Sequence, residues 1–491
     1  MLAIARAPAR SAKAVGAYYT PEPVVRSLVS WAVHRQTDRM LDPACGDGRF
    51  LVCHANSVGV EQDPDACTTV YARTHGRLIH QGEFFSWAER TQERFDCAAG
   101  NPPFIRYQRF SGATRDAALR LCRRHGAAFS ALTSSWGPFL VATAALLRRG
   151  GRMAFVVPAE IGHAPYAAPL LEFMMNSFAG VQLVAIREKF FSELSEDCWL
   201  LYAQGFGEQC DGISLSLTDR FDPCTKPPAA TLVATRSDLE KWSGRVRPFL
   251  LPSTAREAYR HIADSQHSIR LGDVARVRIG YVTGANDFFH LRPSQARRLQ
   301  IPRRLLHPAV RNGKCLAGRS VDTHRVRAWM EADEPILLLR LRDATKLPEA
   351  VRDYLDTEQG QQARQTYKCR NRKPWYVVPD VTVPDGFLSY MSGEGPRLVE
   401  NAAGCVCTNS VHALRLTNGM AMSRLVELWA TPLTRLSCEI EGHPLGGGML
   451  KVEPREAARI VLADRARDTA WQREIFCDAL TTMKRWRHYG G

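Results

Sequence analysis

Asn101-Pro102-Pro103-Phe104 is a tetrapeptide whose residue types could act directly on a substrate nitrogen. It follows a short apolar run, Asp96–Ala99, through Gly100. Two consecutive prolines stiffen the loop and offer no N–H donors, so its polar face is rich in carbonyl oxygen. The Asn101 side-chain oxygen and the Pro102 carbonyl can both accept from one exocyclic NH2 group. Two such acceptors localise a nitrogen lone pair that is otherwise conjugated into a ring. That nitrogen can then attack an electrophilic methyl group in line, without a covalent enzyme intermediate, and proximity supplies much of the rate. Phe104 offers a flat face on which an extruded base could stack.

The methyl donor has its own signature upstream. Asp42-Pro43-Ala44-Cys45-Gly46-Asp47-Gly48 follows a short apolar strand and precedes a helix expected over Arg49–Ala55. A Gly-x-Gly turn there lets the backbone approach a ligand closely. Glu61 ends the next strand, 19 residues after Asp42, where an acidic side chain can accept from both ribose hydroxyls of a nucleoside cofactor. Leu51 stands where the third glycine of a dinucleotide loop would fall, which disfavours NAD. The combination fits S-adenosylmethionine. No Walker A pattern is present, so ATP chemistry is not indicated.

These residues need strands to carry them. Arg39–Leu41, Ser57–Val60, Phe95–Ala99, Arg152–Val157, Val181–Ile186 and Leu200–Gln204 are apolar runs with polar ends. Helical segments such as Gly137–Leu147 and Pro169–Phe178 separate several of them, and a helix is expected to start at Thr20-Pro21-Glu22, capped by the threonine. This alternation implies a mostly parallel sheet with helices on both faces. Residues 1–14 read as a frayed terminus. The pattern weakens over 207–255, where Asp222–Pro228 reads as a loop or linker. A second region, rich in short strands and turns, begins near 266, and the domain boundary is placed near 250.

Composition narrows the classes further. No apolar stretch long enough to span a bilayer and no signal peptide is visible. The 14 cysteines lack a Cys-x-x-Cys pair, so a reduced, cytoplasmic protein with no metal site is expected. The formal net charge is +15, and 55 of the 65 basic residues are arginine. Residues 1–250 carry a net charge of +4 and residues 251–491 carry +11, an asymmetry that suits a polyanionic partner. Cys45 reads as packed, and the chain has no Glu-x-Lys triplet for a common nuclease core.

In this order the motifs resemble the gamma-class, Taq-type adenine-N6 DNA methyltransferases over residues 1–220. Gly16–Pro21 is similar to the family's N-terminal cofactor motif, which places Thr20 at the methionine carboxylate. Leu41–Gly46 resembles the glycine loop, with Asp42, Ala44 and Gly46 at the cofactor. Gly59–Asp63 resembles the ribose motif around Glu61. Gly82-Glu83-Phe84-Phe85 resembles the motif at the cofactor adenine, although the family usually carries Asp where Glu83 stands. Trp136–Leu140 and Gly150–Pro158 match the later helix and strand motifs. Phe191 falls where the family sets a second aromatic against the flipped base, with Phe190 as a near competitor. The family's tetrapeptide more often ends in Tyr than in Phe104, and surface packing is the expected role for Tyr107.

The fold class implied is α/β: a Rossmann-like class I S-adenosylmethionine-dependent methyltransferase domain over 1–250, then a mixed α+β DNA target recognition domain over 251–491. Leu271–Ala275, Gly280–Asp287, Asn409–His412 and Gly446–Lys451 resemble runs of the family's longer recognition domains. Arg364, Lys368, Arg370, Arg372 and Lys373, flanked by Tyr367, Trp375 and Tyr376, are candidates for phosphate contact. Arg292, Arg297, Arg298, Arg303, Arg304, Arg311 and Lys314 form a looser cluster, and Lys484–Arg487 reads as a helix-end feature.

The expectation is a monomeric bacterial enzyme that methylates N6 of a flipped adenine in double-stranded DNA. The resemblance implies a restriction-modification or other anti-phage system, with a separate endonuclease or defence subunit as a possible partner. Three alternatives stay open on the residues alone. The first is an RNA or protein-glutamine methyltransferase. The second is a specificity subunit with an inactive methyltransferase domain. The third is cytosine-N4 as the target.

Overall fold

The computed structural model describes residues 20–189, 191, 197–342, 347–462 and 470–489. The chain forms two compact units, 1–250 and 251–491. Gly16–Tyr19 of the first cofactor motif, the segment 1–14 and Phe190 lie outside the described residues.

The first unit is built on nine strands: β1 (Met40–Asp42), β2 (Ser57–Glu61), β3 (Leu78–Gln81), β4 (Phe95–Gly100), β5 (Leu147–Pro158), β6 (Phe178–Ile186), β7 (Cys198–Phe206), β8 (Gly212–Thr218) and β9 (Leu232–Thr235). Their order is β3-β2-β1-β4-β5-β7-β6-β8-β9. Strands β1 to β5 pair parallel, β7 runs antiparallel between β5 and β6, β8 is parallel to β6, and β9 closes the edge antiparallel. The strand order runs in opposite directions on the two sides of the β1–β4 pair, so β1 and β4 flank a switch point. The carboxyl ends of such strands are where an open α/β sheet binds its ligands. Asp42 and Gly100 are the last residues of those two strands.

The expected fold class is thus observed, with local differences. Strand β3 was not anticipated, because only its second residue is buried and the run shows no clean apolar stretch. Residues 207–250, where the apolar pattern weakens, add β8 and β9 to the sheet, and Asp222–Pro228 is the loop expected, lying between them. The helix expected over Arg49–Ala55 shrinks to one 3-10 turn, Leu51–Cys53. The Leu51 carbonyl, which a continuing helix would need, instead accepts from Ser57 Oγ and Arg77 Nη1.

Helices α1 (Glu22–Ala32), α2 (Pro64–Thr74), α3 (Phe84–Ala88), α4 (Gly112–Arg124), α5 (Trp136–Ala144) and α6 (Ala167–Ser177) complete the part of this unit that bears on the site. Helix α1 buries Val24, Val25, Leu28 and Val29 against Ala99, Ala154 and Val156 of the sheet. Thr20 does not cap it: the Pro21 carbonyl takes the first helical bonds, from Val24 and Val25.

The second unit is mixed α+β. A four-stranded antiparallel sheet joins Ala275–Ile279, Val411–Leu416, Gly386–Ser389 and Leu398–Glu400, and a second, mixed sheet joins His290–Leu291, Leu337–Leu339, Leu306–Val310 and Val406–Cys407, the last two strands pairing parallel. One apolar cluster packs on the first sheet and one on the second, and a third draws Phe387 and Val399 of the first together with Val310 and Cys407 of the second. Inside it, Arg487 and Glu439 form an ion pair that is 0% and 1% exposed. No helix among the described residues is long and apolar enough to cross a membrane.

Candidate active site

A cleft opens beside the ends of β1, β2 and β4 in the first unit. Thr20, Ala44, Gly46, Glu61, Glu83, Phe84 and Asn101 all line it.

Backbone geometry makes the floor. Gly46 and Gly48 have φ of 51° and 79°, a region that disfavours side chains. A Cβ on Gly46 would meet nothing within 4 Å, so the loop leaves open space on that side. A Cβ on Gly48 would fall 2.3 Å from Val70 of α2, so this glycine lets the loop and helix meet. Glu61 holds the loop from the neighbouring strand: one carboxylate oxygen accepts from Gly46 N at 2.9 Å and the other from Asp63 N at 2.8 Å. Each oxygen keeps a further lone pair for a hydroxyl donor.

Asp42 is 1% exposed. Its Oδ1 accepts weakly from Ala44 N at 3.2 Å, while Oδ2 is buried with no hydrogen-bond partner. Burial pushes its pKa up to about 8, against the pull of the Ala44 N–H and with a further push from Glu61. Gly100 is where it is because of Asp42: a Cβ there would stand 2.8 Å from Asp42 Oδ1. Cys45 is buried, and its thiol is pushed far up by burial, so it is packed rather than reactive.

The wall is aromatic. Phe84 stacks on Phe139 of α5 with centroids 4.9 Å apart at 16°, and Phe85 meets Phe139 edge-on at 4.7 Å. Glu83 caps α3, accepting from Phe85 N at 3.0 Å and Ser86 N at 2.8 Å. Its carboxylate thus both lines the cleft and satisfies the helix start, a duty its longer side chain still performs in place of Asp.

Thr20 and Asn101 meet in the cleft: Asn101 Nδ2 donates to Thr20 Oγ1 at 3.2 Å. This bond fixes the amide so that its oxygen points away from Thr20. Phe104 is half-buried against the apolar cluster that contains Phe191, which is 9% exposed. The two aromatics thus share one large apolar cluster, and neither is among the residues that line the cleft. Pro102 is buried in the same loop.

Sequence reasoning missed three contributors. Arg49 lines the cleft, ion-pairs with Asp47 at 2.9 Å and donates to the Thr20 carbonyl. Ser135, wholly buried before α5, bonds the backbone of the tetrapeptide loop. Phe110 joins the lining. An arginine directly after a glycine turn and a serine before a helix carry no local signal for these partners.

The basic candidates of the second unit are placed differently from one another. Arg364, Lys368, Arg370 and Lys373 are exposed, and Lys368 and Arg370 lie 5.9 and 5.5 Å from the ring of Tyr367, itself 66% exposed. Arg372 instead donates to the carbonyls of Thr283 at 2.7 Å and Val282 at 2.5 Å, bracing the Gly280–Asp287 run. Trp375 packs on Phe288 and Phe289 in the core, so it is not available to stack on a base. In the looser cluster, Arg292 donates to the Asp333 carbonyl and Arg311 pairs with Asp287 at 3.3 Å.

Comparisons with known proteins agree with this arrangement. Residues 240–486, just over half of the chain, match the family model of the C-terminal domain of the type II methyltransferase M.Eco57I. Residues 3–74 match the N-6 DNA methylase family and residues 63–191 the Eco57I restriction-modification methylase family. The type II methyltransferase M.XamI of Xanthomonas campestris pv. amaranthicola is 26% identical over 475 residues, covering 91% of this chain and 84% of the relative. M.TthHB8I of Thermus thermophilus is 31% identical over 166 residues, covering 31% of this chain and 36% of the relative. Among solved structures, the type IIG restriction endonuclease BpuSI aligns over 94% of this chain and 61% of its own, at 15% identity and a TM-score of 0.42.

Proposed function

We propose a division of catalytic labour for a chain that belongs to the family of the type II methyltransferase M.Eco57I, an adenine-specific DNA methyltransferase of restriction-modification type. The reading is that it transfers a methyl group from S-adenosylmethionine to N6 of an adenine flipped out of duplex DNA. The observation that carries it is the meeting of Asn101 with Thr20 at one end of a cleft whose floor is the Gly46 loop held by Glu61.

The cleft fits the cofactor. Open space beside Gly46, spare lone pairs on Glu61, the Phe84 and Phe139 rings and the unpartnered Asp42 oxygen match a glycine approach, a ribose, an adenine and a cationic amino acid end. When bound, S-adenosylmethionine supplies an electrophilic methyl group on a sulfonium. Glu61 would accept from the ribose hydroxyls, Glu83 and Phe84 would hold the adenine, and Thr20, Asp42, Ala44 and Gly46 would surround the methionine end. Asn101 Oδ1 and the Pro102 carbonyl accept the two amino hydrogens of the target adenine and turn its lone pair toward the methyl group. Phe104 and Phe191 hold the base in place of its lost stacking partners. Exposed Arg364, Lys368, Arg370 and Lys373 contact phosphates, whereas Arg372 supports the loop beside them. The biological role that follows is protection of DNA within a restriction-modification or other anti-phage system.

Asn101→Ala is expected to lower methyl transfer by about 100- to 1,000-fold, on the scale of losing an electrostatic donor or acceptor made for the transition state. Cofactor affinity, measured by calorimetry, should stay within about threefold. Glu61→Ala should show the reverse emphasis, with cofactor binding weakened first. Full activity in Asn101→Ala, or loss of its cofactor binding, would contradict the assignment.

A further inference from the structure

Ser135 immediately precedes α5, where a serine hydroxyl ordinarily caps the helix by accepting from its first free N–H groups. It makes no such bond here. Its hydroxyl donates instead to the Pro103 carbonyl and accepts from Ile105 N at 2.9 Å, and its own N–H donates to the Ile105 carbonyl at 2.9 Å. A side chain that is 0% exposed has therefore given up a local cap for two bonds to a loop some 30 residues away in sequence, and the backbone N–H adds a third.

The bonds fall just after the two groups that must aim at the target nitrogen. They tie up the Pro103 carbonyl, while no donor among the described residues occupies the Pro102 carbonyl. Neither proline has an N–H with which the loop could brace itself. The brace must come from outside, and its base is firm. Trp136, the next residue, is wholly buried and donates to Glu160 at 2.8 Å. One turn further on, Phe139 forms the cleft wall against Phe84. One helix thus holds the cofactor wall at one residue and the tetrapeptide at another.

We propose that Ser135 is a positioning residue for methyl transfer, clipping Pro103–Ile105 so that the Pro102 carbonyl and Asn101 converge on the target amine at a fixed distance from the cofactor wall. This rests on the reading of Asn101-Pro102-Pro103-Phe104 as the amine-binding loop. Ser135 touches neither substrate nor cofactor in this role. It acts through backbone geometry, where a displacement of about 1 Å costs on the order of 100-fold in rate.

The test is single-turnover methyl transfer by the full chain to unmodified plasmid DNA at saturating S-adenosylmethionine, with cofactor affinity and melting temperature measured in parallel. Ser135→Ala and Ser135→Cys are expected to slow the step by about 30- to 100-fold while cofactor affinity stays within about threefold, and Ser135→Thr to recover most of the rate. Thr143→Ala provides the structural comparison, because Thr143 is buried on the same helix and bonds only the Phe139 carbonyl. It is expected to lower the melting temperature without slowing transfer. Parent-like rates in Ser135→Cys and Ser135→Ala overturn the proposal, as does an equal slowing in Thr143→Ala. If Asn101→Ala, run in the same series, keeps the parent rate, the reading of the loop itself fails. If Asn101→Ala is inactive while the Ser135 variants are fast, only the clip fails.

Discussion

Asp42 and Glu61 are both carboxylates at strand ends beside one cleft, yet their surroundings prepare them for different work. Glu61 is satisfied by two backbone N–H groups and stays partly open to the cleft. Asp42 is buried, has one long hydrogen bond and carries a pKa raised to about 8. It is therefore largely protonated at neutral pH until a cation approaches. A carboxyl whose folded pKa exceeds its unfolded value of 3.8 contributes stability below that value and loses it as pH rises toward 8. Binding of a cationic cofactor end should release this proton. Cofactor affinity is expected to tighten as pH rises from 6 to about 8, with proton release visible in calorimetry across buffers of different ionisation enthalpy, and Asp42→Asn should abolish both effects. A flat affinity profile in the parent protein would contradict this account. At this scale the sequence was legible where residue type and order carry the chemistry: Asn101, Glu61 and the glycine turn. Arg49, Ser135 and the contact of Thr20 with Asn101 were not, because they depend on partners 29, 30 and 81 residues away.

Strands β1, β2 and β4 deliver their last residues to one edge, and short apolar runs with polar ends were enough to find them. Strand β3 escaped because its exposed positions break the apolar pattern, and β8 and β9 escaped because a proline-rich loop separates them. The basic run Lys484–Arg487 shows the converse limit. Sequence alone gives four residues at a helix end, whereas the fold sends Arg487 inward to Glu439, with contacts at 2.8 and 3.0 Å and a further bond to the Gly448 carbonyl. This pair anchors the C-terminal helix Ala470–Trp486 and the Gly446–Gly448 turn. Arg487→Met should strand a buried carboxylate and cost about 3–5 kcal/mol in urea unfolding of the second unit. Arg487→Met combined with Glu439→Leu should recover much of that loss. A single variant as stable as the parent would show that the pair holds nothing.

Two units divide the charge unequally, +4 in the first and +11 in the second, and the cationic side chains of the second include exposed and engaged ones. DNA affinity should fall steeply with salt, because each neutralised phosphate releases counterions. Arg370→Ala and Lys373→Ala should each lower the slope of log affinity against log salt by about one, uniformly across sequences. Arg372→Ala should instead lower the melting temperature of the second unit, since its guanidinium already holds Val282 and Thr283. Equal salt slopes in parent and both surface variants would remove Arg370 and Lys373 from the contact surface. All of this serves one reaction, and that reaction can be read directly. Purified protein incubated with S-adenosylmethionine and unmodified plasmid should leave N6-methyladenine at one short motif when modified bases are mapped by single-molecule sequencing. Methylated cytosine, or unmodified DNA from protein that demonstrably binds the cofactor, would contradict the account.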